Sequence, residues 1–308
     1  MGDWARLLGQ AVEARQLAVA LTPGVPLRDH TTFRIGGPAG MLVQADSVEE
    51  LRKLLAFARA SRVAVKTIGG GSNLLVSDQG FPGIVLRLGG AFRELESSGV
   101  EVKVGAAVRW GELLELTQSR GLAGAEFLCG IPGTLGGGIR TNAGAFGHEL
   151  SELVTGIEVM TPDGRVRRLE RGDVQFGYRR CGLGGDTVIL SAGLRLENGT
   201  SEVIAARIRE NRSKRSASQP KGASAGSVFR NPKGESAGSL IDRTGLKGRH
   251  VGDAVVSEKH ANFIINQGRA CCRDVLQLIE VIKLKVEEKF SIILEEEIEV
   301  VGALDVSQ

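Results

Sequence analysis

Tyrosine occurs once in this chain, at Tyr178, and aromatic residues make up 4% of its 308 positions. A surface that stacks bases needs several aromatic faces, so no nucleic-acid partner is expected. The net charge of +3 supplies no electrostatic reason for one either. The four cysteines, Cys129, Cys181, Cys271 and Cys272, form no C-x-x-C, and the four histidines stand at no zinc spacing, so no metal is expected. No apolar run approaches the roughly 18 residues of a membrane span. The opening "MGDWARLLGQ" has no charged segment leading into an apolar one, so no signal peptide is read there. Together these absences predict a reduced, cytoplasmic protein without a membrane partner, and a monomer is expected.

Several catalytic signatures are missing as well. The dipeptide Gly-Lys occurs nowhere, which excludes a Walker A loop. "GGGSNLL" (69–75) does not fit G-x-G-x-x-G, which argues against an ordinary Rossmann dinucleotide site. In "AGSVFRNP" (225–232), Ser227 has Ala225 two residues before it, Phe229 two after it and Arg230 three after it. It sits in neither G-x-S-x-G nor S-x-x-K, so its hydroxyl is not read as the nucleophile of a serine hydrolase.

Glycine is abundant instead, 43 of 308 residues, and it gathers in loops rather than repeating. The N-terminal segment reads as an amphipathic helix to about Ala20. "MLVQAD" (41–46) reads as a strand. In the helix that follows, Ser47 and Glu50 have capping-box spacing, and Leu51, Leu54, Leu55 and Ala58 share a face. "VAVKT" (63–67) is a second strand that runs straight into the first glycine loop. From Ile84 to Leu196 short β runs alternate with glycines around one helix, "WGELLELTQSRG", the texture of an α+β region with a sizeable antiparallel sheet. The polar, basic "RIRENRSKRSASQPKGAS" reads as a separator. Beyond it come the helix-like "SAGSLIDRTGL", the strand-like "HANFIIN", and a helix over Arg273–Phe290 with Val275, Leu278, Ile279, Ile282 and Val286 on one stripe. A domain boundary is expected near residue 200: residues 1–200 in two subdomains of about 1–80 and 81–200, then 201–308.

Two long glycine stretches, "GGGSNLL" and "GIPGTLGGGIRTNAGAFG" (130–147), favour a bound phosphate ester, because glycine lets backbone amides converge on an anion. These stretches, with "HTTFRIGGPA" (30–39), "YRR" (178–180), "AGSVFRNP", "AGSLIDRTGLKG" (237–248), "VSEKHANFIIN" (256–266) and "LEEEIEVVG" (294–302), resemble the MurB family of UDP-N-acetylenolpyruvoylglucosamine reductases. The resemblance runs in order through nearly the whole chain. It implies an α+β fold: an FAD-binding domain of the vanillyl-alcohol oxidase type, then a smaller α/β substrate-binding domain. It also implies non-covalent FAD, NADPH as hydride donor, and a UDP-sugar enolpyruvyl ether as substrate.

In the family reaction the flavin, reduced by NADPH, gives hydride to C3 of the enolpyruvyl group, and charge develops at C2 and the carboxylate. Carried over by motif, Ser227 is the proton donor to C2, Arg179 faces the carboxylate, and Glu297 stabilises the enediolate. A glutamate in that last role would have to be protonated. Its neighbours Glu295 and Glu296 leave the assignment open on residue physics alone, since strand alternation lets Glu295 and Glu297 share a face. Cofactor contacts are implied at Gly69, Gly70, Gly71, Ser72, Asn73 and Leu74, and at Gly130, Ile131, Pro132, Gly133, Thr134, Gly137, Asn142, Gly144 and Ala145. Substrate contacts are implied at Tyr178, Arg230 and Asn231.

The chain departs from the family pattern in places. Ser218 stands before "QP" where many members have lysine, so Lys214, Arg215 or Lys221 would have to meet the substrate diphosphate. Thr141 and Phe146 replace an apolar residue and a tyrosine. There is no room between Arg180 and Leu196 for the tyrosine-bearing loop of some members, so the chain resembles the shorter, type II form. Two other readings remain: a related flavoprotein that oxidises a sugar or hydroxy acid, and a non-catalytic nucleotide-binding module.

Overall fold

Leu51, Leu54 and Ala58 recur at helical spacing, and all three are buried along a helix over Val48–Ala60. Ser47 caps it by accepting from the Glu50 amide at 3.2 Å. The return bond goes one residue further back than the capping-box pattern predicts, from the Asp46 amide to Glu50 Oε2 at 2.7 Å. A computed structural model of the chain describes residues 3–14 and 16–303. It divides into two compact units: residues 1–23, 41–69 and 83–215, and residues 24–40, 70–82 and 216–308. The residues between the expected cut near 200 and Arg215 thus group with the first unit, and two N-terminal segments belong to the second.

The first unit holds helices α1 (Asp3–Glu13), α2 (Val48–Ala60), α3 (Trp110–Arg120), α4 (Leu135–Arg140) and all but the last three residues of α5 (Ser201–Ser218). The N-terminal helix stops at Glu13, short of the expected Ala20. Leu17 and Val19 are buried at alternate positions leading into the strand Ala20–Pro23, and that period of two belongs to extended chain. A sheet orders the strands Ala20–Pro23, Ala39–Ala45, Phe81–Leu88 and Val65–Thr67. "IVLRL", expected with the antiparallel strands, lies here instead, parallel to Val65–Thr67. The apolar sequence alone does not choose a sheet; the pairing does.

A second sheet is antiparallel and runs Val166–Glu170, Val154–Met160, Val188–Arg195, Glu101–Gly105 and Leu95–Ser98. Its central strand serves two cores. Ile157 pairs with Ala192 and Val159 with Ile189, all within one core; Met160 pairs with Val188 in the other. Leu190 has no partner in that register. This bulge shifts the alternation by one residue, which is how a single strand feeds both interiors.

The second unit holds α6 (Ala237–Arg243) and α7 (Cys272–Phe290). The expected stripe on α7, Val275, Leu278, Ile279, Ile282 and Val286, is buried throughout. Its first turn is capped from far along the chain: Asp78 accepts from the Cys272 amide at 2.8 Å and the Arg273 amide at 3.2 Å. A three-stranded sheet (His250–Val251, Ala254–Val256, Ile264–Asn266) and a parallel pair (Leu74–Val76 with Glu299–Val301) complete it. "HANFIIN" is thus a strand only in its last three residues; His260–Phe263 makes a turn, closed by the Phe263 amide on the His260 carbonyl at 2.9 Å. No described helix is long and apolar enough to cross a membrane.

Candidate active site

In the first unit the stretch 130–147 is shaped by packing. Leu135 and Ile139 anchor α4 in the core, and Gly138 lies under Trp110, whose ring would sit 2.2 Å from any added Cβ. Gly69 is excluded from carrying a side chain by Thr134, with Oγ1 2.6 Å from the position a Cβ would take. Gly137 is different: nothing lies within 4 Å of its Cβ position. The amides of Gly133, Thr134 and Gly137 donate to no backbone carbonyl among the described residues, so this first turn presents unsatisfied donors. Those donors and that open face suit a bound nucleotide.

Asn142 and Arg179 are brought together here. Asn142 is fully buried, and its amide binds Glu149 Oε2 at 2.8 Å, the Gly177 carbonyl at 3.1 Å and the Ser151 amide at 3.0 Å. The side chain of this expected cofactor residue is therefore committed within the fold. Arg179 occupies a turn between Phe176–Gly177 and Arg180–Cys181 at φ +54°, a left-handed conformation costing a side-chain-bearing residue about 1–2 kcal/mol. Strain of this kind gathers where a side chain must be aimed. The guanidinium donates to the Gly144 carbonyl at 2.9 Å, reaches the Asn142 carbonyl at 3.5 Å, and lies 5.4 Å from the ring centre of exposed Tyr178. Gly144 and Ala145 pair with Glu149 and His148 in a tight hairpin.

In the second unit, Gly71 sits at φ +63° with the His30 carbonyl oxygen 2.0 Å from where a Cβ would be, so only glycine fits. Asn73, expected at the cofactor, is tied to the C-terminal strand: its Nδ2 donates to the Glu297 carbonyl at 3.0 Å, and its own carbonyl accepts from the Glu299 amide at 2.8 Å. Leu74 is buried in the neighbouring parallel pair.

The segment carrying Ser227 runs between two others. On one side the Glu297 amide donates to the Val228 carbonyl at 2.7 Å and the Arg230 amide to the Glu295 carbonyl at 2.9 Å. On the other, Ser227 bridges Phe263, and Asn262 binds both backbone groups of Phe229, amide at 2.9 Å and carbonyl at 2.8 Å. The half-buried Ser227 hydroxyl has no partner among the described residues. It is held in place by its backbone alone.

The three adjacent glutamates are sorted by their surroundings. Glu296 pairs with Lys283 of α7 at 3.0 Å, the exposed Glu295 lies 3.5 Å from Arg230, and Glu297 is half-buried. Arg230 thus faces a carboxylate, while its Nε is buried without a hydrogen-bond partner among the described residues. Asn231 accepts from the Ala237 amide at 3.0 Å and so serves the first turn of α6. Asn262 carried no role in the sequence reading; it sat in the recognised "VSEKHANFIIN" and could have been flagged there as a polar residue in an apolar run.

Asn262 is itself held by His260, whose Nδ1 accepts from the Asn262 amide at 3.2 Å. Burial pushes the His260 pKa below its usual value of 6.5, a backbone hydrogen bond opposes this, and Lys247 adds to the lowering. A depressed folded-state value means that the neutral ring favours folding. That stability is fully present above pH 6.5 and is lost as pH falls through the folded-state pKa. Thermal midpoints measured from pH 7.5 down to 5 are expected to fall less steeply for His260→Asn, which keeps an acceptor and cannot charge. Parallel curves would remove His260 as the cause.

All four cysteines are free thiols. Burial, with Asp78 and Cys271 nearby, pushes Cys272 up to about 12, so it is a thiol at neutral pH and unsuited to nucleophilic work.

A family model described as "FAD binding domain" matches residues 39–170, the span that holds both glycine stretches. That match, with the relatives that follow, makes the chain an FAD-dependent oxidoreductase. A second family model, "UDP-N-acetylenolpyruvoylglucosamine reductase, C-terminal domain", matches residues 219–301. The chain is 43% identical to UDP-N-acetylenolpyruvoylglucosamine reductase 2 of Symbiobacterium thermophilum, over 90% of this chain and 91% of that one. It is 38% identical to the Bacillus subtilis reductase of that name, over 95% and 97%. The crystal structure of the reductase (MurB) from Thermus caldophilus is similar with a TM-score of 0.80 at 38% identity, covering 92% of this chain and 99% of that one. The chain belongs to the UDP-N-acetylenolpyruvoylglucosamine reductase family.

Proposed function

We propose that this enzyme reduces UDP-N-acetylglucosamine enolpyruvate to UDP-N-acetylmuramate, a step in making peptidoglycan precursors, with NADPH as the source of electrons. The observation that carries the reading is Ser227: a half-buried hydroxyl without a partner among the described residues, on a segment fixed from both sides, one residue from the position bonded to Glu297. FAD fits the residues present, because the amides of Gly133, Thr134 and Gly137 are unclaimed by backbone carbonyls and Gly137 faces open space. When bound, FAD supplies to C3 of the substrate the hydride received from NADPH.

The chain's own residues do the rest. The Ser227 hydroxyl donates its proton to C2 as electron density builds there. A hydroxyl is a weak acid, but an enediolate is a strong base, so the transfer is downhill in a preorganised setting. Arg179 presents a planar cation to the carboxylate, whose two oxygens its fork matches. Glu297, in its neutral form, donates a hydrogen bond to the enediolate oxygen. Gly69–Leu74 and the 130–145 stretch hold the cofactor, and Tyr178, Arg230 and Asn231 contact the substrate.

The test is an anaerobic absorbance trace on the purified protein. NADPH is expected to bleach the flavin band, and the UDP-sugar enolpyruvyl ether to restore it. Bleaching without return would remove the substrate; no flavin band after supplying FAD would remove the enzyme. A separate expectation concerns the loop. Gly137→Ala meets no neighbour in the fold and adds helix propensity, so the thermal midpoint of the flavin-free protein should not fall. FAD retention should fall by about tenfold, a loss near 1.4 kcal/mol, read by flavin released on gel filtration.

A further inference from the structure

The hairpin that carries Arg179 is short. It pairs Phe176 with Cys181 and Gly177 with Arg180, and the Gly182 amide extends the ladder to the Gln175 carbonyl at 3.0 Å. So small a two-stranded ribbon is marginal by itself. Its turn adds strain, because Arg179 takes a left-handed φ of +54° that a side-chain-bearing residue disfavours. The guanidinium is nevertheless seated. Its Nη2 donates to the Gly144 carbonyl at 2.9 Å, and a Cβ added at Gly144 would stand 3.2 Å from Nη1.

The side chain that ties this hairpin to the second glycine stretch is Asn142. It is fully buried. Its Nδ2 donates to the Gly177 carbonyl at 3.1 Å and to Glu149 Oε2 at 2.8 Å, and its Oδ1 accepts from the Ser151 amide at 3.0 Å. The bonds to Glu149 and Ser151 fix the amide plane, and the remaining donor is thereby aimed at the residue two before Arg179. With both donors committed to the fold, the side chain has none left for a cofactor. The main chain of Asn142 completes the cradle, since its carbonyl lies 3.5 Å from Arg179 Nη1. Glu149 also pairs in register with Gly144, so the strand that orients Asn142 presents the Gly144 carbonyl to Nη2. Asn142 thus holds the arginine at both ends, the backbone before it and the guanidinium that finishes it.

We infer that Asn142 is a positioning residue for Arg179: its side chain sets the hairpin, its carbonyl receives the guanidinium, and it acts on the substrate carboxylate only through that arginine. The inference rests on the function proposed above. It gives the Asn142 side chain to the substrate half-reaction, while backbone amides of the same glycine stretch serve the cofactor. A planar fork meets a carboxylate in a set orientation, and misplacing such a group by about 1 Å can cost about 10²-fold in rate.

The test follows both half-reactions of the holoenzyme by stopped-flow absorbance in wild type, Asn142→Ala, Arg179→Met and the double variant. Asn142→Ala is expected to keep its flavin and its rate of reduction by NADPH, and to be reoxidised by the UDP-sugar enolpyruvyl ether about 10- to 100-fold more slowly. Arg179→Met should be at least as slow. Adding Asn142→Ala to it should change reoxidation by less than about twofold, because a residue that acts through the arginine has nothing left to position. Asn142→Asp combined with Glu149→Gln is a second probe. It can keep the bond to the Ser151 amide and, reversed, the bond to position 149, and it loses the donor to the Gly177 carbonyl. It should slow the same half-reaction and spare the other. Effects that multiply in the double variant would overturn the inference. So would flavin loss from Asn142→Ala that Arg179→Met does not show, which would make Asn142 a cofactor contact, or unchanged reoxidation in both probes. If neither probe yields folded holoenzyme, Asn142 is a structural residue and the inference falls. The wild-type trace keeps the two levels apart: if wild type is not reoxidised by the ether, the proposed function fails; if it is, and the effects multiply, only this inference does.

Discussion

Ser227→Ala is expected to leave flavin reduction by NADPH near the wild-type rate and to slow reoxidation by the UDP-sugar enolpyruvyl ether by about 10²- to 10⁴-fold, the range for removing a positioned general acid. The structure makes this a clean substitution. The hydroxyl has no partner within the described protein, so its loss breaks no internal bond, and the segment is still held by the Glu297 amide on Val228 and by Asn262 on Phe229. Stopped-flow absorbance separates the two half-reactions. Slowing of both to the same extent would rule out the proton-donor role and point to a general distortion. With the reduced enzyme in deuterated solvent, reoxidation of the wild type should also carry a solvent isotope effect.

Asn262→Ala is expected to be strongly destabilising to the second unit. Asn262 is 3% exposed and Phe229 1% exposed, so truncation leaves a backbone amide and a backbone carbonyl without partners and without ready access to water. Each such buried group costs about 1–3 kcal/mol, and the pair together about 2–6 kcal/mol. At about 2–4 °C per kcal/mol for a chain of roughly this size, the thermal midpoint should fall by ~4–24 °C. Asn262→Asp separates the two bonds: it can still accept from the Phe229 amide but sets a carboxylate oxygen against the Phe229 carbonyl. It is expected to be destabilised as well and to recover in part as the carboxyl is protonated at low pH. A change in midpoint below about 1 °C for the alanine variant would mean that the clamp is not what fixes the Ser227 segment.

The elements legible in the sequence are those whose pattern is local. The α2 and α7 stripes could be read because apolar residues repeat at 3.6, and the antiparallel strands because they repeat at 2 between glycines. Helix α5 was hidden by its own composition: two fully buried side chains among 18 residues give a periodic signal too weak to separate from a polar linker. The sheet that received "IVLRL" was not legible either. A strand buried on both sides reads as a plain apolar run, and nothing in it names its neighbour.

The candidate site divides the same way. The glycine stretches, "AGSVFRNP" and "LEEEIEVVG" mark chemistry by residue type and order, and their residues could be nominated from the sequence. What each does within the fold could not. Asn73, Asn142 and Asn231 all carry backbone-tying bonds that no spacing rule foretells, because each partner lies elsewhere in the chain or on a turn whose shape is not local. Strand alternation left Glu295 and Glu297 undivided; in the fold Arg230 on the neighbouring segment faces Glu295, and Lys283 on α7 pairs with Glu296.

The sequence by itself therefore determined the α+β character, the two glycine loops, and the set of residue types from which a flavin-dependent reductase is made. The tertiary structure alone decided which strands share a sheet and which asparagines hold the backbone. The physical reason is range: periodicity and loop chemistry act between residues a few positions apart, whereas burial, partner choice and charge proximity depend on segments that meet only when the chain has folded.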